Sequence, residues 1–546
     1  MKREPAVSVI LPTCDRPDML RVALKSLAWQ TFQDFEVVVV NDGRIDIAPA
    51  VADFAQTLDS RDVAHDTPRR GISAARNTGI RLARGNWLVY LDDDDFFYKE
   101  HLEILYEAVA SGPFKVAYTD AFLALQENIN GSYQTVAREL PVSLDFDPAV
   151  LAWRNLTPTH TLIHEKNCLR RSLPFAPYLR GHEDWDLWQR LGRHYRFTHL
   201  ALPTAEYLRR QEAQSLSAVK DDMAEGWLFV RQQGLLHNAM PPAYSLEEAA
   251  DKAVFAGPPS GPCRVSVILP LGQTSAFLAE ASATRALDAL CSHLGEAQLI
   301  LAGAGEGMAE ICRRAAIRHG RPPRCVNFST DVGRVFSANR AASLAEGEWL
   351  VFLEPGVEPC PGWLDGLLAA ADECPRAGAL GGLVESPRIG LIAGGRFNAK
   401  GDLIFNRLSQ ATAHDSPMEA DCLPGLCLML RREHFGALEG FNPAFAPGHY
   451  ADADVCLRLK QQGLDSVVAP KARLLWNREY SPLRQSPAGL VSRRTFRDSW
   501  SDAPFPLASL ISGSEWSMRP EALAGLWPSE GQMPPTFDIA LPSQLR

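Results

Sequence analysis

Four consecutive carboxylates, Asp92 to Asp95, stand at the end of the apolar run WLVYL. Like charges at that spacing repel unless a cation neutralises them, and hard carboxylate oxygens suit Mg2+ or Mn2+, above all where the ion also meets phosphate oxygens. The plain alternative is a solvated acidic turn, or the first turn of a helix whose dipole favours Asp. Two other stretches bring polar side chains to the ends of apolar runs. VVVVNDG closes on Asn41, Asp42 and Gly43, and RGISAARNTGI carries Arg76 and Asn77 shortly before the acidic run. In GHEDWDLWQRLG, Glu183 and Asp184 precede the apolar positions Trp185, Leu187, Trp188 and Leu191. A carboxylate there can take the proton of a hydroxyl nucleophile, which is weak near neutral pH, or can serve the helix N-terminus, and the two roles are compatible.

The elements that must position these residues are legible in the hydrophobic pattern. β-Branched runs such as VSVIL, FEVVVV and WLVYL alternate with helical stretches such as DMLRVALKSLAWQ, a rhythm that predicts an α/β fold with a mainly parallel sheet wrapped by helices. Ligands of such sheets sit at the carboxyl ends of strands, where WLVYL delivers its aspartates. The pattern also occurs twice. VSVILP at Val7–Pro12 recurs at Val265–Pro270, GNWLVYL at Gly85–Leu91 recurs as GEWLVFL at Gly347–Leu353, and FAPYLRGHEDWDLWQRL from Phe175 is echoed by FAPGHYADADVCLRL from Phe445. Repeats this long point to duplicated domains rather than a solenoid. We expect domains over residues 1–215 and 263–480, a helical segment and linker over 216–262 ending in FAGPPSGPC, and an irregular tail over 481–546 that keeps Trp500, Phe505, Trp516 and Trp527.

Bulk properties exclude several classes. With 546 residues, 46% hydrophobic and 22% charged, the chain can bury several cores and is not of disordered composition. A net charge of -10 offers no electrostatic footprint for nucleic acid. The 11 cysteines form no Cys-x-x-Cys pair, which favours reduced, buried thiols over a disulfide framework or a zinc site. The apolar run in MKREPAVSVILPTC is too short for a signal-peptide core or a membrane span. The expectation is a cytoplasmic protein.

Taken together and in order, SVILPTCDRPDMLRVALKSLAWQTFQDFEVVVVNDG, GISAARNTGIRLARGNWLVYLDDDD and HEDWDLWQRL resemble glycosyltransferase family 2, the inverting nucleotide-sugar enzymes of GT-A fold. The resemblance implies a Rossmann-like GT-A domain in each copy and a role for each matching residue. Pro12 and Thr13 lie where the family holds the nucleotide, and Asp42 matches the carboxylate that meets the base. Asp93 matches the ribose contact, Asp94 the metal ligand, and Asp92 completes the acidic motif around Mn2+ or Mg2+. Arg76, with Asn77 beside it, supports the phosphates or orients the aspartates by a bidentate pair, a structural salt bridge being the alternative. Asp184 or Glu183 is the base, with Asp184 favoured. His160 lies in a segment that matches the acceptor side in some relatives, and apart from the resemblance Trp185 could line an acceptor sugar by ring stacking, although a satisfied buried histidine and a core tryptophan are the plainer readings. One departure concerns the metal: where several relatives carry a histidine after the base segment, EYLRRQEAQSLS has Gln211 and Glu212.

The second copy has lost most of this set. Glu354, Pro355 and Gly356 stand opposite Asp92, Asp93 and Asp94, and Ala338 stands opposite Arg76. Asn339 remains opposite Asn77, and Asp452 opposite Asp184, with Ala451 in place of Glu183. The resemblance therefore implies one active site, in the first domain, transferring sugar from a nucleotide-sugar, UDP-linked by first expectation, to a hydroxyl of a glycan, glycolipid or lipid-linked acceptor in bacterial surface polysaccharide synthesis. Peripheral attachment to the inner face of the membrane is compatible with such acceptors. Two alternatives are a bifunctional two-site polymerase and a non-enzymatic glycan-binding or assembly scaffold.

Overall fold

The computed structural model describes residues 4–52, 54, 63–66, 69–110, 112–130, 132–210, 220–259, 261–387, 390–397, 403–408, 415–448, 450–476 and 487–500. Two sheets organise it, one of nine strands and one of twelve. The first comprises β1 (Val7–Thr13), β2 (Phe35–Asn41), β3 (Val63–Asp66), β4 (Trp87–Tyr90), β5 (Asp95–Phe97), β6 (Val116–Ile129), β7 (Ser132–Glu139), β8 (Leu162–Glu165) and β9 (Phe197–Arg210). Their order is β3-β2-β1-β4-β8-β6-β9-β5, with β7 paired to β6. Around them lie α1 (Pro17–Ala28), α2 (Ala48–Ala52), α3 (Ile72–Leu82), α4 (His101–Ala110), α5 (Pro148–Leu151), α6 (Leu169–Ser172) and α7 (Glu183–His194).

The expectation of a mainly parallel sheet holds for only part of it. Strands β3, β2, β1 and β4 are parallel neighbours and β6 pairs parallel with β9, but β8 is antiparallel to both β4 and β6, and β5 and β7 also pair antiparallel. The four neighbours β3, β2, β1 and β4 are joined by helical crossovers, as parallel pairing requires. Among them β1 and β2 are buried on both faces, which explains the near-continuous apolar reading of VSVIL and VVVV. Val7, Val9 and Leu11 of β1 face a core shared with Leu20 and Leu24 of α1 and Leu102 and Leu105 of α4. Ile10, Leu88 and Tyr90 face the opposite core, with Trp188 and Leu191 of α7. Helix α3 approaches β1 closely because Gly79 has no Cβ, which would lie 2.5 Å from Ile10 Cγ2.

The second sheet repeats the first in register. Val265 pairs with Trp349 as Val7 pairs with Trp87. A buried polar knot is repeated as well. Ser8 Oγ donates to Glu36 at 2.6 Å and receives the Gly85 amide at 2.8 Å; Ser266 Oγ donates to Gln298 at 2.6 Å and receives the Gly347 amide at 2.9 Å. Asn77 exchanges two hydrogen bonds with the Phe175 backbone, and Asn339 does the same with Phe441. This equates Phe175 with Phe441 and corrects the alignment with Phe445 suggested by the sequence.

The segment between the sheets is mostly helical: α8 (Lys220–Asn238) and α9 (Ala243–Asp251) precede a strand, Val254–Ala256, that joins the edge of the second sheet beside Arg324–Phe328. The tail is not wholly irregular. Helix Pro487–Ser499 docks by Arg494, whose Nη2 donates to Asp186 at 2.7 Å, and it is followed by the buried Trp500, whose Nε1 donates to Asp454 at 3.2 Å. Phe505, Trp516 and Trp527 lie outside the described residues. Cys312 and Cys325, in the helix and strand Met308–His319 and Arg324–Phe328, form a disulfide where reduced thiols were expected; nine other cysteines are free. Among the described residues no helix is long and apolar enough to cross a membrane.

Candidate functional site

The carboxyl ends of β1, β2 and β4 meet at one edge of the first sheet, because the three strands are parallel and adjacent. Pro12 and Thr13 end β1, Asn41 ends β2, and Asp92 follows one residue after β4 and Leu91. The Asp42 amide donates to the Thr13 carbonyl at 2.8 Å, closing the first two ends together. Asp42 is held from the other side too. Its two carboxylate oxygens receive the amides of Arg70 and Gly71 at 2.9 and 2.8 Å. Gly71 caps α3 at φ +89, a conformation natural to glycine.

The four aspartates have separate environments. Asp93 is 1% exposed, receives Thr13 Oγ1 at 2.6 Å and lies 2.5 Å from Arg16 Nη2. Burial, opposed by Arg16 and Thr13, pushes its pKa up to about 7. Arg16 Nη1 donates to Asp94 at 2.9 Å, and Asp94 keeps 28% of its side chain exposed. Asp95 turns inward, 2.8 Å from His160 Nδ1. Burial raises the Asp95 carboxyl; on His160 burial opposes charge, but the neighbouring Asp95 outweighs it and raises that pKa.

Arg76 ties the cluster to the Glu183–Asp184 pair. It sits on the face of α3 toward the sheet, 1% exposed, with its guanidinium over the Phe175 ring at 5.1 Å. Nη2 meets both oxygens of Asp92, at 2.6 and 2.9 Å, and Nη1 donates to Glu183 Oε1 at 2.6 Å. Burial disfavours the charge, yet the two carboxylates prevail and raise the pKa. Glu183 and Asp184 open α7, after His182 in the left-handed conformation at φ 58. Asp184 receives Asn155 Nδ2 at 2.9 Å, Thr159 Oγ1 at 3.3 Å and the Trp185 amide at 2.7 Å. Burial and the adjacent Glu183 push its pKa up, which makes it a better proton acceptor than an ordinary aspartate.

The structure thus assembles Thr13, Asp42, Arg76, Asp92, Asp93, Asp94, Glu183 and Asp184 around one strand edge. Three expected residues stand elsewhere. Asn77 spends its amide on the Phe175 backbone, as Asn339 does on that of Phe441. The Trp185 indole is 1% exposed and donates to the Leu151 carbonyl at 2.7 Å, so it presents no face to a sugar. His160 lies behind the acidic turn, 1% exposed. Arg16, Asn155 and Thr159 were not singled out in the sequence; the position of Arg16, three residues after β1 in TCDRP, is the one signal that could have marked it.

The acidic cluster is compatible with a divalent cation supplied with a phosphate ligand. Among the described residues no three His, Cys, Asp or Glu side chains converge as a complete metal cage. Mg2+-type sites commonly take one or two carboxylates and complete their shell from phosphates and water, and the hard oxygens of Asp92 and the part-exposed Asp94 meet that need. Gln211 and Glu212 lie outside the described residues.

In the second sheet Arg334, near the start of the helix Gly333–Ala342, pairs with Glu354 at 3.1 Å, while the Gly425 amide donates to Asp452. The corresponding edge therefore keeps an ion pair but lacks the row of aspartates.

Residues 8–173 match the family model described as Glycosyl transferase family 2. The chain is 34% identical over 103 residues to Glycosyltransferase GlyA of Streptococcus pneumoniae, a match covering 19% of this chain and 15% of that protein. It is 25% identical over 218 residues to Uncharacterized glycosyltransferase YwdF of Bacillus subtilis, covering 39% and 77%. A crystal structure of Staphylococcus aureus TarS residues 1–349 in complex with UDP-GlcNAc aligns with 45% of this chain and 70% of its own at 21% identity and a TM-score of 0.35.

Proposed function

We propose that the domain matching Glycosyl transferase family 2 is a working inverting glycosyltransferase that moves a sugar from a nucleotide-sugar, a UDP-sugar in the first instance, to a hydroxyl of a glycan or lipid-linked acceptor in bacterial surface polysaccharide synthesis. The single observation that supports this reading is Arg76, which bonds both Asp92 and Glu183 and so holds the acidic turn and the start of α7 together. Thr13 and Asp42 would flank the nucleoside and Asp93 the ribose. Asp92 and Asp94 would hold Mn2+ or Mg2+, which when bound would supply positive charge against the charge of the leaving nucleotide.

Asp184 is the proposed base. Its carboxylate takes the acceptor hydroxyl proton as that oxygen bonds to the anomeric carbon; the bond from that carbon to the diphosphate breaks on the opposite face, and the nucleoside diphosphate leaves. One displacement without a covalent enzyme intermediate inverts the configuration. Glu183, held by Arg76, positions the helix end and fixes the spacing between donor and base. Residues 263–480 form a related domain without donor chemistry, supported by the shared register and the replaced aspartates. The test is UDP release from a panel of UDP-sugars by the full chain with Mn2+, compared with Asp94→Ala and Asp184→Asn. Release by wild type alone supports the reading. Equal release by all three proteins, or UDP binding indifferent to Asp94→Ala and to Mn2+, overturns it.

A further inference from the structure

Away from the acidic cluster, a cavity of about 350 Å³ opens between α5, α7 and the end of α8. Its volume is that of a small-molecule site rather than a packing defect holding one water. One wall is apolar, with Pro148 and Leu151 of α5 and with Met240 and Pro241 just after α8. The other carries Gln189 and Arg193 of α7, four residues apart and hence on one helical face.

Arg193 lacks what its counterparts have. Three arginines are buried among the described residues. Arg76 has Asp92 and Glu183, and Arg494 has Asp186, but Arg193 meets only the carbonyls of His237 and Pro241, each at 3.3 Å. Burial alone draws its pKa down to about 10, which leaves it protonated at neutral pH. Behind it, a second cavity of about 20 Å³ is lined by Arg171, Arg190 and Arg494 as well as Arg193. Their carboxylate partners are Glu247, Asp186 and Asp498, so four guanidinium groups face three carboxylates and one positive charge is left over, at Arg193. A buried charge without a counter-charge is strongly unfavourable, and an anion from outside the chain relieves it. The amide of Gln189 is also short of partners: its buried Oε1 has none, and Nε2 reaches the Leu151 carbonyl only at 3.4 Å.

We infer that this cavity binds an amphipathic organic anion, its carboxylate or phosphate head paired with Arg193 and its apolar body against Pro148, Leu151, Met240 and Pro241. The ligand would rest on the same helix that begins with Glu183 and Asp184, two turns away from them. The inference does not depend on the proposed transferase activity.

The test uses the full chain with octyl phosphate, octanoate, 1-octanol and inorganic phosphate, read by calorimetry and thermal melting. The two amphiphilic anions should bind at least tenfold tighter than 1-octanol or inorganic phosphate and raise the melting temperature. Arg193→Met should weaken their binding at least tenfold while melting no lower than wild type without ligand. Should Arg193→Met not fold, Pro241→Trp, which fills the mouth and leaves the charge, should abolish binding. Equal binding of octanol and octyl phosphate, binding unchanged in both variants, or no binding of either anion would overturn the inference. A stronger response to octyl phosphate than to octanoate assigns a phosphate-headed ligand, and the reverse a carboxylate.

Discussion

Arg76 and Glu183 are 107 residues apart in the chain and 2.6 Å apart in the fold, and the same guanidinium holds Asp92. Removing one partner of a buried ion pair leaves the others uncompensated, at a cost of about 3 to 5 kcal/mol. Arg76→Met is therefore expected to lower unfolding free energy by about that amount and to reduce UDP-sugar turnover at least a hundredfold. Arg76→Lys keeps the charge but not the forked geometry, and should recover part of the stability with little of the turnover. Denaturant titration and UDP release read the two effects; turnover restored by lysine would show that charge alone is needed.

Asp184 and Glu183 are adjacent but differently held, one by Asn155 and Thr159, the other by Arg76. Asp184→Asn is expected to lower turnover at least a thousandfold with UDP affinity unchanged. Glu183→Gln should lower the melting temperature and reduce turnover less. With the Asp184 pKa pushed up, turnover limited by the base should rise with pH through that raised value and level off above it. A pH profile flat between 5 and 8, or the larger kinetic loss in Glu183→Gln, would assign the base to Glu183.

Asp93 gives a stability prediction with a definite sign. Its folded pKa of about 7 lies above the ordinary carboxylate value, so the folded state binds the proton more tightly than the unfolded chain. The resulting destabilisation is absent below the unfolded pKa, grows as pH rises, and is complete above about 7. Asp93→Asn removes that ionisation. Its melting temperature relative to wild type should increase between pH 4 and pH 7 and then remain constant, as scanning calorimetry across that range would record. A constant difference over the whole range would refute the assignment.

Asn77 and Asn339 should behave alike. Each supplies two hydrogen bonds to the backbone of a phenylalanine, so alanine at either position is expected to cost about 1 to 3 kcal/mol per orphaned buried group. The apparent KM for the nucleotide-sugar should change in neither. A rise in KM confined to Asn77→Ala would return that residue to the donor site.

The parallel half of the first sheet and the acidic edge were legible because both rest on local pattern: uninterrupted β-branched runs and polar residues at their ends. The antiparallel entry of β8 was not, since TLIH is too short to declare its direction. Trp185 illustrates a different limit. Two tryptophans in one helix can line a sugar or fill a core, and only the position of Leu151, whose carbonyl takes the indole N–H, decides between them. Arg16 shows another limit: its place just after β1 marks it as near the strand edge, but its partners Asp93 and Asp94 lie nearly eighty residues downstream, and no local spacing names them. The Phe175 to Phe445 alignment followed lettering, whereas the asparagine clamps follow geometry and select Phe441.

Helix Pro487–Ser499 reaches Asp186 through Arg494, and Trp500 just beyond it reaches Asp454, the residue at the same place in the other half. This helix and Trp500 thus fasten both halves at matching points. Cutting the chain after residue 486 should turn one cooperative heat-absorption peak into two, each half then melting at its own temperature, and so reveal how much of the molecule's unity resides in this helix and Trp500.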